Sequence, residues 1–236
     1  FHLGSPNLLE SHERERKIIS WLNEIKKDAK SVYLLGDVFD FWFEYNKVIP
    51  KGFVRILGKL SELSDNGIFI YFLPGNHDMW IKEYLFEEVG INICYNCSII
   101  LEQDKKIYIG HGDGLGKGDY MYKMLKMIFK SRVCRWLFSI LHPDIGISLA
   151  QYWSNKSRIR KSKNNIVENQ KDILINYCKS QQKIKSVDYY IFGHRHLPST
   201  IQIDKSSIYI NTGDWISHNS YAVLSNGKIY LETYNN

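Results

Sequence analysis

A layered α/β sandwich is the fold class this sequence predicts, and three observations predict it. Apolar runs rich in Ile, Tyr, Phe and Val recur along the chain and end in Gly-Asp, Gly-Asn or Gly-His. Helical patterns separate several of these runs. The runs themselves are apolar almost without alternation, as expected of central strands covered on both faces.

Taken in order, residues 10–29 (ESHERERKIISWLNEIKKDA) place Ile18, Trp21, Leu22 and Ile25 at helical spacing. SVYLLGD (31–37) is a strand ending in Gly-Asp. Residues 51–66 form a second helix, with Phe53, Ile56, Leu57, Leu60 and Leu63 as its apolar stripe. Strands follow at GIFIYFLPGN (67–76), KKIYIGHGD (105–113), VDYYIFGH (187–194) and SIYINTGD (207–214). The closing SYAVLSNGKIYLETY alternates and carries Asn-Gly, which reads as a hairpin. Between 119 and 170 there is no strand punctuation. Two helices are expected there, over 119–141 and 145–158, separated by His-Pro-Asp and trailed by a basic polar loop. The division is therefore a core of 1–118 and 171–236 with a helical insertion at 119–170. Met, Trp, Phe and Leu interleave in that insertion with Lys123, Lys126, Lys130, Arg132 and Arg135. Two readings fit it: a helical hairpin packed on the sheet, or a lid offering apolar surface to a greasy substrate and cations to a membrane.

Bulk properties bound the function. The 236 residues and 44% hydrophobic content support one large or two small domains with a full core. No run of eighteen apolar residues is present, so no membrane-spanning helix is expected, nor a secretory leader. A net charge of +6 suits a phosphate-bearing substrate, nucleic acid or an anionic membrane face. Cys94, Cys97, Cys134 and Cys178 are too few and scattered for a disulfide framework. Cys94 and Cys97 form a C-x-x-C pair without the partners a zinc site needs. A reduced, cytoplasmic compartment is the expectation.

Chemistry concentrates at the strand ends, where ligands collect in parallel α/β sheets. His2, Asp37, Asn76, His111, His194 and His196 sit in such phrases: FHLG, GD, GNHD, GHGD and GHRH. Any one has a dull explanation as a turn or helix cap. Six imidazole, carboxylate and amide groups beside sharply bending glycines point instead to a metal centre. The set exceeds what one ion uses, so two are implied. Two divalent ions roughly 3.5–4 Å apart make the clamp used for in-line phosphoryl displacement, and they generate a nucleophile at neutral pH. Asp37 is the candidate bridging carboxylate. A mixed N/O set without thiolates suits Mn, Fe, Zn or Co.

In that order these phrases resemble the calcineurin-like metallophosphoesterase superfamily, along nearly the whole chain. The resemblance implies a layered α-β-β-α sandwich with a helical lid. In the family the first motif is D-x-H, which places an Asp ligand immediately before Phe1. The implied sites are that Asp with His2, Asp37 and His196, and Asp37 with Asn76, His111 and His194.

Within the superfamily the chain looks most like the UDP-2,3-diacylglucosamine pyrophosphatases of lipid A synthesis. D-F-W after the second motif, H-G-D-x-L-x-x-x-D (111–119), the helical insertion and the final T-G-D-W (212–215) carry this resemblance. It implies hydrolysis of UDP-2,3-diacylglucosamine to UMP and 2,3-diacylglucosamine 1-phosphate, with two divalent ions, manganese foremost. It also implies a cytoplasmic enzyme held peripherally at the inner face of the bacterial inner membrane, with no nucleic acid partner. Substrate contacts are expected at Asn76, His77, Asp119, Ser154, Lys161 and His194. Those enzymes usually read G-N-R-D, whereas here position 77 is His. His77, with Asp37, is the catalytic candidate, donating a proton or hydrogen bond to the phosphate or leaving group. Its alternative is a structural histidine held by Asp40 or Asp78. Asp40 and Asp113 are expected to orient ligand imidazoles, and His12, His142 and His218 to serve surface or capping roles. Two other functions stay in view: the same chemistry on another nucleotide, a phosphoprotein or a nucleic acid, and a non-catalytic scaffold of this fold.

Overall fold

Alternation along two strands fixes the layering. In β1 (Ser31–Leu34), Val32 and Leu34 pack into one apolar cluster, while Tyr33 and the following Leu35 pack into another. In β6 (Tyr189–Phe192), Tyr189 and Ile191 join that second cluster, and Tyr190 and Phe192 face a third. Successive side chains leave a strand on opposite faces, so the shared cluster lies between two sheets. The computed structural model that shows this describes residues 1–118, 120–163 and 166–235, with the backbone alone for 155, 157–163 and 166–172.

The first outer layer is α1 (Leu8–Ile25) with α2 (Val54–Asp65), whose Ile18, Leu22, Ile56, Leu60 and Leu63 meet Ile70 and Phe72 of β2 (Phe69–Phe72). The first sheet runs β1-β2-β3, all parallel, with β3 at Ile91–Ile93 after the short α3 (Tyr84–Val89). The second sheet has the order β4-β5-β6-β8-β7, where β4 is Ser98–Glu102, β5 Lys105–Gly110, β7 Ser199–Gln202 and β8 Ile208–Asn211. Its strands β5, β6 and β8 are parallel. Leu174 and Cys178 of α7 (Ile166–Gln182) cover its far face. The order is α-β-β-α. The last hairpin, β9 (Ser220–Ser225) and β10 (Lys228–Thr233), turns through Asn226 and Gly227, both at positive φ.

Differences from the sequence reading have local causes. The first helix begins at Leu8 rather than 10, because the Asn7 side chain accepts from Glu10 N. Phe53 gives α2 no side-chain cap; Glu15 of α1 does that work, accepting from Ile56 N at 3.1 Å. The helix expected over 119–141 is two, α4 (Tyr120–Lys130) and α5 (Arg132–Ile140), since the Ser131 hydroxyl accepts from Cys134 N and starts a new helix. The basic segment expected as a loop after 158 is helical: α6 runs Pro143–Lys163. Beyond Gly146 that segment has no Gly or Pro to stop it, and Lys and Arg are good helix formers. The expected Asp119 lies outside the described residues, as does the side chain of Lys161.

Candidate metal centre

Parallel strands β1, β2, β5, β6 and β8 deliver the loops carrying Gly36-Asp37, Gly75-Asn76-His77, His111, Gly193-His196 and Gly213-Asp214 to one edge of the sandwich. The N-terminal segment lies alongside. His2 N donates to Asp37 O at 2.8 Å and Leu3 N to Val38 O at 2.9 Å. Asp78, wholly buried, ties two of these loops together by accepting from Val38 N at 2.8 Å and Gly75 N at 2.7 Å. Burial, with the nearby Asp37 charge, pushes its carboxyl up to about 6.

The loops approach so closely that a Cβ on Gly75 would overlap the Asp37 carboxylate, and one on Gly36 would meet the Gly75 backbone. His2, Asp37 and His196 all adopt positive φ, at 50°, 51° and 58°. Each such residue costs on the order of 1 kcal/mol or more and persists only where the surroundings impose it.

All six expected ligand residues come together. One group is His2, Asp37 and His196; a second is Asp37, His111 and His194; Asp37 is common to both. In the first, His2 Nε2 lies 3.5 Å from Asp37 Oδ2 and 3.3 Å from His196 Nε2. In the second, His111 Nε2 lies 3.2 Å from Asp37 Oδ2, 3.1 Å from His194 Nδ1 and 3.3 Å from Asn76 Oδ1.

Tautomers show that this donor set fits cations. His111 Nδ1 donates to Leu35 O at 2.7 Å, which leaves an Nε2 lone pair facing the carboxylate. His2 Nδ1 faces Asp40 Oδ1 at 3.3 Å and His196 Nδ1 faces Asp214 Oδ2 at 3.4 Å, so their Nε2 lone pairs converge too. Lone pairs converging on one carboxylate repel unless a proton or a cation lies among them. Without a cation, a proton on His111 is what balances the carboxylate. Burial pushes the Asp37 carboxyl up, but the imidazoles, His111 first, hold it well below the usual range. Burial lowers the His111 imidazole too, yet the Asp37 charge outweighs this and raises it to about 9. Burial dominates at His2 and keeps it well below its ordinary value.

A family model for calcineurin-like phosphoesterase matches residues 11–198. A UDP-2,3-diacylglucosamine hydrolase from Porphyromonas gingivalis is 37% identical, covering 98% of this chain and 94% of its own length. Proteins of the same description from Histophilus somni (29% identical, 79% of each chain) and Haemophilus influenzae strain Rd (27% identical, 84% of this chain and 81% of that one) are also similar. This chain belongs to the calcineurin-like phosphoesterase family. It is a metal-dependent hydrolase.

Around the ligand groups of this phosphoesterase stand residues that the motifs did not expose. Asp214 belongs to the T-G-D-W phrase, but its place behind His196 was not legible. It also accepts from the backbone N–H of Ser217 and His218. Arg14, buried on α1, donates from Nη2 to His2 O at 2.9 Å and also to Ser5 O, clamping the left-handed His2 backbone. A basic residue on an amphipathic helix gave no signal for either contact.

Asp40 behaves as expected toward His2 and also holds His77, whose Nδ1 lies 2.9 Å from Asp40 O and 3.5 Å from its carboxylate. Ser154 of α6 reaches the same carboxylate, its hydroxyl 3.0 Å from Oδ2. Asp113 departs from expectation. Its carboxylate orients no imidazole but pairs with Lys126 Nζ at 2.5 Å and accepts from the Tyr122 hydroxyl, both on α4. The two-residue offset from His111 turns it toward the insertion.

Proposed function

We propose that this chain hydrolyses UDP-2,3-diacylglucosamine to UMP and 2,3-diacylglucosamine 1-phosphate, with two divalent cations held at the strand ends. The observation that carries this reading is the convergence of two imidazole groups on the single carboxylate of Asp37. His2, Asp37 and His196 would hold one cation, and Asp37, Asn76, His111 and His194 the other, with manganese the expected metal. When bound, such a pair supplies a nucleophile at neutral pH and neutralises phosphate charge.

The chain's own groups do the rest. Asp40 and Asp214 keep the Nδ1 protons of His2 and His196 facing away from the ions. His77 Nδ1 donates to Asp40 O, so Nε2 is the ring atom left to meet the phosphate or leaving group, and it offers a proton there only when both ring nitrogens carry one. Water adds at the phosphorus on the uridine side, the pyrophosphate P–O bond breaks, and the acylated sugar phosphate departs with the bond's electron pair.

Residues 119–170 act as a lid in this reading. Two faces suit that role. Met121, Met127, Val133, Trp136, Ile140 and Ile145 are each more than three-fifths exposed, which is far more apolar surface than a packed hairpin leaves open. Cations Arg132 and Arg135 stand among them, suited to an anionic leaflet. No described helix is long and apolar enough to cross a membrane. Peripheral association with the inner face of the bacterial inner membrane fits these features. The interleaving of cations with apolar side chains, rather than an open basic groove, argues against nucleic acid as a partner.

A panel assay with manganese tests the reading: UDP-2,3-diacylglucosamine, a UDP-sugar without acyl chains, and a simple phosphodiester. UMP release from the acylated compound alone is the expected result. Equal hydrolysis of all three would overturn the substrate and leave only the family chemistry.

A further inference from the structure

Beside the metal centre lies a cleft of about 280 Å³ that the chemistry above does not use. Its lining includes Gly75 and the buried His111, Tyr95 and Asn96, both exposed, and Lys126 and Lys130 of α4. The spacing of Tyr122, Lys126 and Lys130 is i, i+4, i+8, which sets them along one side of α4. Met121, Met124, Leu125 and Ile128 are on the exposed remainder. The helix thus separates this cleft, with its two lysines, from an apolar outer face.

The two lysines differ. Lys126 is neutralised by Asp113 at 2.5 Å. Lys130 has no carboxylate within ion-pair distance among the described residues, and so brings an uncompensated positive charge to the cleft. Its volume sits at the small end of ligand sites, and its lining sets ammonium, amide and phenol groups beside Leu73, Pro74, Met79 and Leu115, which gives room to one compact ligand of mixed polarity and not to a pair of acyl chains. A ligand with a phosphate at the His111 end and a planar base at the Tyr95 end would use every part. The Tyr95 ring offers a stacking face, and the Asn96 amide offers a donor and an acceptor to a base edge.

We propose that this cleft receives the nucleotide half of the substrate, a uridine monophosphate group, and that Lys130 supplies the cation that meets its phosphate. The proposal rests on the pyrophosphatase reading and deepens it: the bond to be broken would lie at the metal centre, with the nucleotide on one side of α4 and the lipid on the other.

The test is calorimetric titration of UMP into the manganese-loaded protein and its Lys130→Gln and Lys130→Arg variants, each first matched for metal content and unfolding temperature. Weakening of about tenfold in K130Q, the scale of one charge-assisted contact, with recovery in K130R, is the expected result. Inhibition by 2,3-diacylglucosamine 1-phosphate should be unchanged in K130Q. UMP binding that is equal in wild type and K130Q, or a loss of lipid-product inhibition instead, would overturn the assignment. Turnover of UDP-2,3-diacylglucosamine by the wild type reports separately on the pyrophosphatase reading. Absent turnover with Lys130-dependent UMP binding would sink that reading and keep the nucleotide site, while normal turnover with Lys130-independent binding would sink only the site.

Discussion

Asp37 is the residue on which the site depends, because both imidazole groups reach it and its own backbone is held in the left-handed region. Replacing it with Asn keeps the shape but removes the charge that balances the imidazoles. Asp37→Asn is expected to lose at least about a hundredfold in activity, more than outer partners of metal ligands typically cost, with metal content measured alongside. Asp214→Asn should be milder, costing about 10–100-fold in metal affinity, because it leaves His196 in place but frees its ring. Binding isotherms showing wild-type affinity in that variant would remove Asp214 from the site. Gly75→Ala should act like a ligand mutation without changing any ligand, since its methyl would occupy the space of the Asp37 carboxylate; metal content is again the readout. Among the candidate ligands, Asp37, Asn76, His111 and His194 were legible because each stands beside a glycine at the end of an apolar run, while His2 and His196 lie two and three residues from theirs. Asp214 behind His196, and Arg14 behind His2, were not, since nothing in local sequence records which side chain a distant loop will meet.

At the scale of elements, α4–α6 are tied to the core at two kinds of contact. One is aromatic: the Phe138 ring sits 4.7 Å from Phe43 and 4.8 Å from Trp80, and Trp80 Nε1 donates to Phe129 O at 2.8 Å. Aromatic pairs of this kind contribute about 0.5–1.5 kcal/mol each beyond their buried area. The other is polar: Ser154 reaches Asp40, which also touches His2 and His77. Phe138→Ala should therefore loosen the insertion while leaving the sandwich folded. Its expected signature is a higher KM for the acylated substrate with little change toward a small phosphodiester; equal losses on both would show that the insertion is no lid. The helical character of this stretch could be read from its composition. Its breaks could not: Ser131 ends one helix only because its hydroxyl starts the next, and the charged residues before Lys163 look as loop-like as they are helix-compatible. The edge strands β3, β4 and β7 were missed for a related reason, being held by pairing across the sheet instead of by their own pattern.

For the whole molecule, the α-β-β-α order follows from near-continuous apolar strands that need cover on both faces, and the site follows from their parallel direction, which brings distant loops to one edge. Because the candidate groups draw residues from His2 to His196, cations held there would bridge both sheets. Because cations bind the folded chain and not the unfolded one, their removal should lower its unfolding temperature, and returning manganese should restore it in a concentration-dependent way. The most direct test counts the ions: elemental analysis of the manganese-loaded wild type beside Asp37→Asn. Two ions per chain in the wild type, with fewer in the variant, is the predicted result. A wild type that retains none, or a variant that retains as many as its parent, would contradict a centre built around Asp37.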